Sequence, residues 1–365
     1  MKLLLSMYLL VFTSGAFGQS LSEAEITAVE QTMNAELHRQ AGVGAAIGII
    51  RGGKIVFLQG YGFADRERAL PVTTNTMFRW ASVSKPVTAL ATLQLVEAGK
   101  LRLEDTVRKY VPEFPDKGVP IRIGQLLRHQ GGIRHYSNGK IIANERSYVV
   151  ERPFKNVVLA LDDFKDSPLV AEPGEKYSYS THGYILLSAV VQRAGGARFA
   201  DQVRLRIAEP LGMTTLQPDY QWIDIPHRAI GYHRSDGKIV RSTDTDVSWK
   251  LGGGGFISTI GDMARFAEGL INRRLVAPEI EELMWSTVTP KNGKATKMAH
   301  GFSVEGEGGN LKVYHSGSQE KAKTRLVIYP RKRHGLVFMS NSRHVDPGRF
   351  TTAVYAALAR GRVGR

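Results

Sequence analysis

Strand-like segments lie near both ends of this chain, and the long region between them has mostly helical patterns. Two β-like runs, 44–50 and 54–60, are joined by a short turn that contains Gly52 and Gly53, which is a hairpin signal. Further strand-like runs return beyond Pro290. This order predicts an α+β fold, an α/β sandwich in which both chain ends share one antiparallel sheet flanked by helices.

The same order predicts how the domains are organised. Residues 22–100 and 271–362 are expected to form an α/β domain, and residues 101–270 a mostly helical domain inserted between its two halves. A chain of 365 residues is long enough to bury one large core or two smaller ones. We expect the active cleft at the domain boundary, where pockets commonly form.

The first 18 residues are typical of a secretory signal peptide. Lys2 precedes an apolar run, and small residues follow it before Gln19. The apolar run is short for a transmembrane helix, so we expect the signal to be cleaved and the protein to be periplasmic or secreted. A retained N-terminal anchor is the alternative.

Composition and charge exclude several kinds of protein. The chain has no cysteine, which rules out disulfides, zinc–thiolate sites and a cysteine nucleophile. Its formal net charge of +15 predicts contact with anionic surfaces such as cell wall. Nucleic acid is not expected as a partner, because the basic residues are scattered and no nucleic-acid-binding motif is recognised.

Ser82 and Lys85 form the best candidate for a nucleophile and its base. Of the four Ser-x-x-Lys pairs in the chain, this one alone lies between a strand-like segment and a long apolar helix. Residues i and i+3 of a helix share a face, so the Lys85 amine can reach the Ser82 hydroxyl. A lysine can take that proton if burial or nearby cations lower its pKa. The alternative is that Ser82 caps the helix and Lys85 is solvated.

Tyr179 is the second candidate catalytic residue. It lies in a loop directly before the apolar helical run 185–194. A tyrosine there can act as acid or base if two cations, Lys85 among them, lower its pKa enough to form the phenolate. The alternative is an aromatic ring that packs under the loop, a role that Tyr177 or Tyr184 would serve equally well.

The third cluster is His315-Ser316-Gly317-Ser318, which is predicted to end the strand-like run 311–314. Gly317 would let a substrate backbone approach the strand edge, and the Ser318 N–H could form an oxyanion hole together with that of Ser82. The alternative is a strand end made of small turn residues. The ten histidines are dispersed and HExxH is absent, so no metal site is expected.

The order Ser82-x-x-Lys85, Tyr179-Ser-Thr, His315-x-Gly317 resembles the serine β-lactamase-like and penicillin-binding protein family, in its class C branch. Two further stretches strengthen the resemblance: QLLRHQGGI at 125–133 is similar to the family's LLxHxSGI, and LGGGGFISTIGDMARF at 251–266 to its GGGLxST…DLARF.

The resemblance implies a β-lactamase/transpeptidase-like fold with no metal or organic cofactor. It implies that Ser82 is the acylated nucleophile, with Lys85 and Tyr179 as the proton-transfer pair. It also implies that the Ser82 and Ser318 N–H groups form the oxyanion hole. We accordingly expect four substrate-binding residues: Thr181, His315, Gly317 and Ser318.

Two departures from the family pattern argue against efficient antibiotic hydrolysis. Class C β-lactamases have Tyr-x-Asn in the middle motif, whereas Thr181 offers only a hydroxyl. The third motif often has a lysine that binds a substrate carboxylate, and His315 need not be charged at pH 7. With GIRHY at 132–136, the chain is more similar to the subgroup that contains the mitochondrial β-lactamase-like protein. That similarity implies peptidase or esterase activity and self-assembly into homo-oligomers.

We therefore expect an exported serine hydrolase that cleaves an amide or ester of a small or peptide-like substrate through acyl-Ser82. Two alternatives stay open. One is a D,D-peptidase or β-lactamase that acts on cell wall or β-lactams. The other is a non-catalytic, self-assembling scaffold with the same fold.

Overall fold

The computed structural model describes residues 20–140 and 156–363, so the predicted signal segment lies outside the described residues. The helices are α1 (Glu23–Arg39), α2 (Ser84–Glu97), α3 (Ile123–Leu127), α4 (Thr181–Gly195), α5 (Phe199–Val203), α6 (Leu251–Gly254), α7 (Ile260–Ile271), α8 (Pro278–Trp285) and α9 (Pro347–Val363). The strands are β1 (Gly44–Arg51), β2 (Lys54–Asp65), β3 (Leu70–Pro71), β4 (Phe78–Arg79), β5 (Gln217–Pro218), β6 (Tyr232–Ser235), β7 (Lys238–Arg241), β8 (Phe256–Ser258), β9 (Ser303–Glu305), β10 (Lys312–Gln319), β11 (Ala322–Tyr329) and β12 (His334–Ser340).

Seven strands from both ends of the chain form one sheet in the order β3-β2-β1-β12-β11-β10-β9. All six neighbouring pairs are antiparallel. The two halves of the chain meet where β1 pairs with β12, with Ala45 opposite Ser340. The predicted fold class, an antiparallel sheet shared by the chain ends and flanked by helices, is confirmed.

The central strands are buried on both faces, which explains their almost continuous apolar sequences. On β1, Ala45, Ile47 and Ile49 pack into a cluster with α1 and α9, whereas Ala46 and Ile50 belong to the larger core on the other side. This alternation follows from the two-residue period of a strand. Full burial of each Ile side chain contributes about 1.5–3 kcal/mol of hydrophobic free energy.

Helix α1 begins with a capping box. Ser22 accepts a hydrogen bond from the Glu25 N–H, and the Glu25 carboxylate accepts one from the Ser22 N–H, so the two residues form a capping box. Its buried face, which includes Val29 and Met33, packs against α9 and the sheet.

Helix α7 covers the opposite face of the sheet, against β1, β2 and β12. Its sequence position lies in the predicted inserted region 101–270, yet it packs on the sheet. The bounds of the two predicted domains stay a prediction. Within residues 20–140 and 156–363, no helix is both long and apolar enough to cross a lipid bilayer.

Candidate active site

The backbone places Ser82 in a tight turn between the short strand β4 and helix α2. Ala81, directly before it, is buried and has a φ of 48°, which is costly for a residue with a Cβ. A 3-10 turn, Ala81–Val83, then leads into α2. The N-cap of α2 is Val83, and Ser82 does not cap the helix. Ser82 lines a cavity instead, which leaves its hydroxyl available to a substrate.

Lys85 is fully buried, so the alternative of a solvated lysine is wrong. Its Nζ lies 3.1 Å from Ser82 Oγ, 3.0 Å from Thr181 Oγ1 and 2.7 Å from the Gly253 carbonyl oxygen. Burial lowers the pKa of Lys85 well below its usual range, and the Lys250 ammonium lowers it further. This position and this lowered pKa are what the predicted role of Lys85 as a base requires, and the role itself stays a prediction.

An uncharged Lys85 amine fits these three contacts. The Gly253 carbonyl can only accept a hydrogen bond, so it takes one N–H of the amine. The two hydroxyls can donate or accept, so Thr181 can take the second N–H while the Ser82 hydroxyl faces the nitrogen lone pair. This arrangement would let the amine receive the Ser82 proton as the oxygen attacks.

The Tyr179 ring stacks into an aromatic cluster beside Lys85. Its centroid lies 4.4 Å from that of His129 and 5.4 Å from that of His135, and the Lys85 Nζ lies 4.8 Å from it. The Tyr179 hydroxyl is hydrogen-bonded to Ser82. These contacts bring Tyr179 to the nucleophile, as the motif order predicts.

The Tyr179 phenolate that the sequence reasoning required is not favoured in this site. Burial raises the pKa of Tyr179 above its usual range, and the hydrogen bond to Ser82 only partly opposes this. The lowered pKa of Lys85 also weakens the expected stabilisation by a Lys85 cation. Tyr179 is thus a neutral phenol, able to donate a proton.

Thr181 is the first residue of α4, whose N-terminus is capped by the Ser180 hydroxyl through a 2.9 Å hydrogen bond from the Gly183 N–H. The Thr181 hydroxyl lies 3.0 Å from the Lys85 amine and is also hydrogen-bonded to Tyr136. Thr181 lines the cavity, but its hydroxyl holds the base in place. Its predicted contact with substrate stays a prediction.

Strand β10 runs past the point where the sequence predicts its end. It continues to Gln319, paired with β11 throughout, whereas β9 pairs only with the segment from Lys312 to Tyr314. Beyond Tyr314, the other edge of β10 has no strand partner in the described part of the chain. Ser316 and Ser318 are exposed there and line the same cavity as Ser82.

Glycine is required at position 317 by close packing within the protein, whereas the sequence suggested that it makes room for substrate. A Cβ at this position would lie 2.7 Å from the Trp80 carbonyl oxygen, 2.9 Å from Ala81 Cβ and 2.1 Å from Thr324 Oγ1. The glycine lets β10 approach the turn that carries Ser82, rather than making room for substrate alone. The predicted oxyanion hole needs this closeness, and its assignment to the Ser82 and Ser318 N–H groups stays a prediction.

His315 is buried on β10 and is not among the residues that line the cavity. Burial lowers the pKa of His315 to about 3, with a further contribution from Lys85, so the ring is uncharged at neutral pH. Its Nδ1 lies 2.8 Å from the Ser316 carbonyl oxygen. The structure therefore separates His315 from the other predicted substrate-binding residues, and its role in binding stays a prediction.

The cavity has a volume of about 600 Å³, within the range of small-molecule sites. Its wall includes cations that the sequence reasoning missed: Lys250, Lys323, Arg325 and Arg343. Lys250 carried one usable signal, since it directly precedes the glycine-rich stretch that resembles a family motif. No cluster of His, Asp or Glu suited to hold a metal ion is found within residues 20–140 and 156–363.

Comparisons with known proteins agree with this geometry. A family model described as Beta-lactamase matches residues 28–360. The Homo sapiens protein "Serine beta-lactamase-like protein LACTB, mitochondrial" is 30% identical over 324 residues, covering 67% of this chain and 59% of that protein. Penicillin-binding protein 4* of Bacillus subtilis (strain 168) is 29% identical over 304 residues, covering 80% of this chain and 66% of that protein.

Among solved structures, the octameric penicillin-binding protein homologue from Pyrococcus abyssi superposes with a TM-score of 0.76 at 26% identity. The match covers 92% of this chain and 77% of that one. The chain spans between 53% and 60% of the length of the mitochondrial relatives it matches.

Proposed function

The chain belongs to the beta-lactamase family of serine hydrolases, and from this we propose that it hydrolyses an amide or ester bond through an acyl-Ser82 intermediate. Membership confirms the family prediction made from the motif order. The observation that carries the proposal is the contact of 3.1 Å between Ser82 Oγ and a Lys85 amine whose pKa is strongly lowered.

In the acylation step, Ser82 Oγ forms a bond to the substrate carbonyl carbon as its proton passes to the uncharged Lys85 amine. Such positioned base catalysis contributes about 10²–10⁴-fold to the rate. The carbonyl oxygen takes up the negative charge, which backbone N–H groups near Ser82 would stabilise. The leaving nitrogen or oxygen then needs a proton.

Tyr179 is the group suited to supply that proton. Its phenol is neutral because burial raises its pKa, and it is hydrogen-bonded to Ser82 at the reacting centre. The Lys85 ammonium formed in acylation can return a proton to the tyrosine. In deacylation, water attacks the acyl carbon and the bond to Ser82 Oγ breaks, with the proton transfers running in the opposite direction to those of acylation. The acid product leaves and the Ser82 hydroxyl is restored.

A D,D-peptidase or β-lactamase is the second candidate, favoured by the similarity to Penicillin-binding protein 4*. Two features of the site weigh against rapid β-lactam hydrolysis. The Thr181 hydroxyl is engaged with Lys85, and His315 is buried and uncharged, so neither supplies the amide or the cation of the class C pattern. We favour a peptide-like amide or an ester as the substrate.

A scaffold without turnover is the third candidate, and the Pyrococcus abyssi homologue is octameric. Assembly does not conflict with catalysis, and a purely structural role would not require a buried lysine beside an accessible serine. We therefore propose homo-oligomer formation in addition to hydrolysis, and not in place of it.

Export is also proposed, from the signal-like segment at 1–18. Cell fractionation followed by N-terminal mass analysis would test it. A mature protein in the periplasm or medium that starts near residue 19 supports export, and a full-length cytoplasmic protein overturns it.

The decisive experiment is intact-mass analysis of the purified protein after treatment with a fluorophosphonate and, separately, with a penicillin. Ser82→Ala is the control. We expect a single fluorophosphonate adduct that is absent from the variant, and little stable penicillin adduct. Absence of the fluorophosphonate adduct in the wild-type protein would overturn the hydrolase proposal, and rapid penicillin acylation would favour the second candidate.

A further inference from the structure

Lys250 places an ammonium group in the wall of the cavity that contains Ser82. It ends the short 3-10 turn Ser248–Lys250 and directly precedes α6, whose Gly253 carbonyl holds the Lys85 amine. A few residues of regular backbone therefore fix its position relative to the base.

The Lys250 side chain packs against aromatic rings and not against a carboxylate. Its Nζ lies 5.4 Å from the centroid of the Trp249 ring and 5.8 Å from that of Tyr136. Within residues 20–140 and 156–363, no hydrogen bond or ion pair to this ammonium is found. Ring faces attract a cation more weakly than a paired carboxylate does, so the ammonium keeps its capacity to bind an anion.

The two carboxylates whose charges act on Lys250 have other partners. Glu320 forms an ion pair with Arg343, and Asp246 accepts hydrogen bonds from the Ser248 N–H and hydroxyl, at 3.1 and 2.7 Å. Burial and the Arg79 cation lower the pKa of Lys250 to about 8, against the opposing effect of Glu320 and Asp246. Lys250 thus remains largely protonated at neutral pH.

The third family motif, which begins at His315, supplies no cation to the site. His315 occupies that position on β10, and it is buried and uncharged. Arg325, which also faces the cavity, already donates a 2.9 Å hydrogen bond to Ser316 Oγ. Within residues 20–140 and 156–363, Lys323 is a second cation of the cavity wall for which no hydrogen bond or ion pair is found, so a substrate anion has two candidate partners, Lys250 and Lys323. Lys250 is the one that directly precedes α6, whose Gly253 carbonyl holds the Lys85 amine.

We propose that Lys250 binds a carboxylate of the substrate that Ser82 attacks, so that the enzyme prefers amides or esters with a carboxylate near the bond that is cleaved. This rests on the proposed hydrolase function, because it names the substrate class of that same site. Lys250 acts here as a binding residue that determines specificity.

Three chromogenic esters test the proposal. The reference is 4-nitrophenyl hexanoate, which is uncharged. The monoester of adipic acid with 4-nitrophenol adds a carboxylate at the end of an acyl chain of the same length, and 3-carboxy-4-nitrophenyl hexanoate places it on the leaving group. The readout is kcat/KM for each anionic ester divided by that for the uncharged one, at a single pH near 7.

We expect wild-type enzyme to prefer at least one anionic ester, and Lys250→Gln to lower that ratio about tenfold or more, as loss of a charged hydrogen bond would. Lys250→Arg should keep most of the preference because it keeps the charge. The ratio is used because Lys250 also affects the pKa of Lys85, which changes the rates of all three esters together.

The matched control is Lys323→Gln, which removes the same charge from the same cavity. A ratio that is unchanged in Lys250→Gln, or that falls only in Lys323→Gln, overturns the proposal. If no ester is turned over, the rate of fluorophosphonate labelling of Ser82 decides: adipate should slow it in the wild-type protein and not in Lys250→Gln. Failure of labelling itself would sink the hydrolase function, whereas labelling that adipate leaves unaffected would sink this inference alone.

Discussion

The Lys85 amine donates a 2.7 Å hydrogen bond to the Gly253 carbonyl oxygen, so the backbone of α6 holds the base of the site. Helix α2, which carries Lys85, is joined to α6 by a second hydrogen bond, 2.6 Å long, from the Thr88 hydroxyl to the Gly252 carbonyl. A Cβ on Gly253 would lie 2.5 Å from Thr181 Cγ2. Glycine at 253 is therefore what allows the carbonyl to reach the lysine.

Replacing Lys85 with Met should nearly abolish acylation while preserving the fold. Methionine fills the buried space but cannot accept the Ser82 proton, so kcat/KM for 4-nitrophenyl hexanoate should fall about 10²–10⁴-fold. Lys140→Met is the control, because Lys140 belongs to another Ser-x-x-Lys pair and is exposed. A Lys85→Met enzyme with wild-type rates would contradict the assignment of the base.

The pH profile should report the lowered pKa of Lys85. The amine is active only when unprotonated, so kcat/KM should rise with pH through the Lys85 pKa and become level well below the pH range in which lysine usually titrates. Burial also lowers the pKa values of the neighbouring His129, His135 and His315 rings.

Lys250→Gln should shift the rise of kcat/KM with pH, the acid limb of the profile, to higher pH. Lys250 is the charged neighbour that lowers the pKa of Lys85. Removal of its charge should raise the Lys85 pKa, so that Lys85 loses its proton only at a higher pH. Measuring kcat/KM against pH for the uncharged ester in both proteins checks this. An acid limb that stays in place or moves to lower pH would show that Lys250 does not act on Lys85.

Gly317→Ala should impair both stability and activity. The new methyl group would lie 2.7 Å from the Trp80 carbonyl oxygen and 2.9 Å from Ala81 Cβ, which forces β10 away from the turn that carries Ser82. Overpacking of this kind costs about 1–3 kcal/mol of unfolding free energy. Gly309→Ala, where a Cβ would meet nothing within 4 Å, is the control for urea unfolding and ester turnover.

Asp219→Ala should destabilise the protein strongly. Asp219 is buried between Arg79 and Arg228, at 3.0 Å from the latter, and its loss leaves the buried Arg79 cation unpaired. The expected loss is about 3–5 kcal/mol of unfolding free energy. Glu113→Ala breaks an exposed pair with Arg193 and should cost at most about 1 kcal/mol, so similar losses from the two changes would refute this account.

Local patterns were enough to predict much of the fold. The hairpin glycines before Lys54 and the apolar helix after Lys85 each depend on neighbours within a few residues, and both are present. The Ser82–Lys85 contact was also predictable, because it follows from the i, i+3 geometry of a helix start.

What the sequence could not predict depends on residues far apart in the chain. Gly and Ser have low strand propensity, so β10 was expected to stop at Tyr314, yet pairing with β11 carries it to Gln319. The close contact of Gly317 with Trp80 became visible only in three dimensions. The neutral state of Tyr179 likewise depends on burial that no local pattern encodes.

The pairing of β1 with β12 joins residues that are made far apart in time during synthesis. Ser340 donates a hydrogen bond to the Gly44 carbonyl across 296 positions of sequence. While the ribosome extends the chain, the β1–β2 hairpin keeps an unpaired apolar edge, and β10 is not yet available to close the site beside Ser82. The edge of β1 therefore stays open to other chains until β12 has been made, and Ser82 gains its neighbouring strand only once β10 has been made.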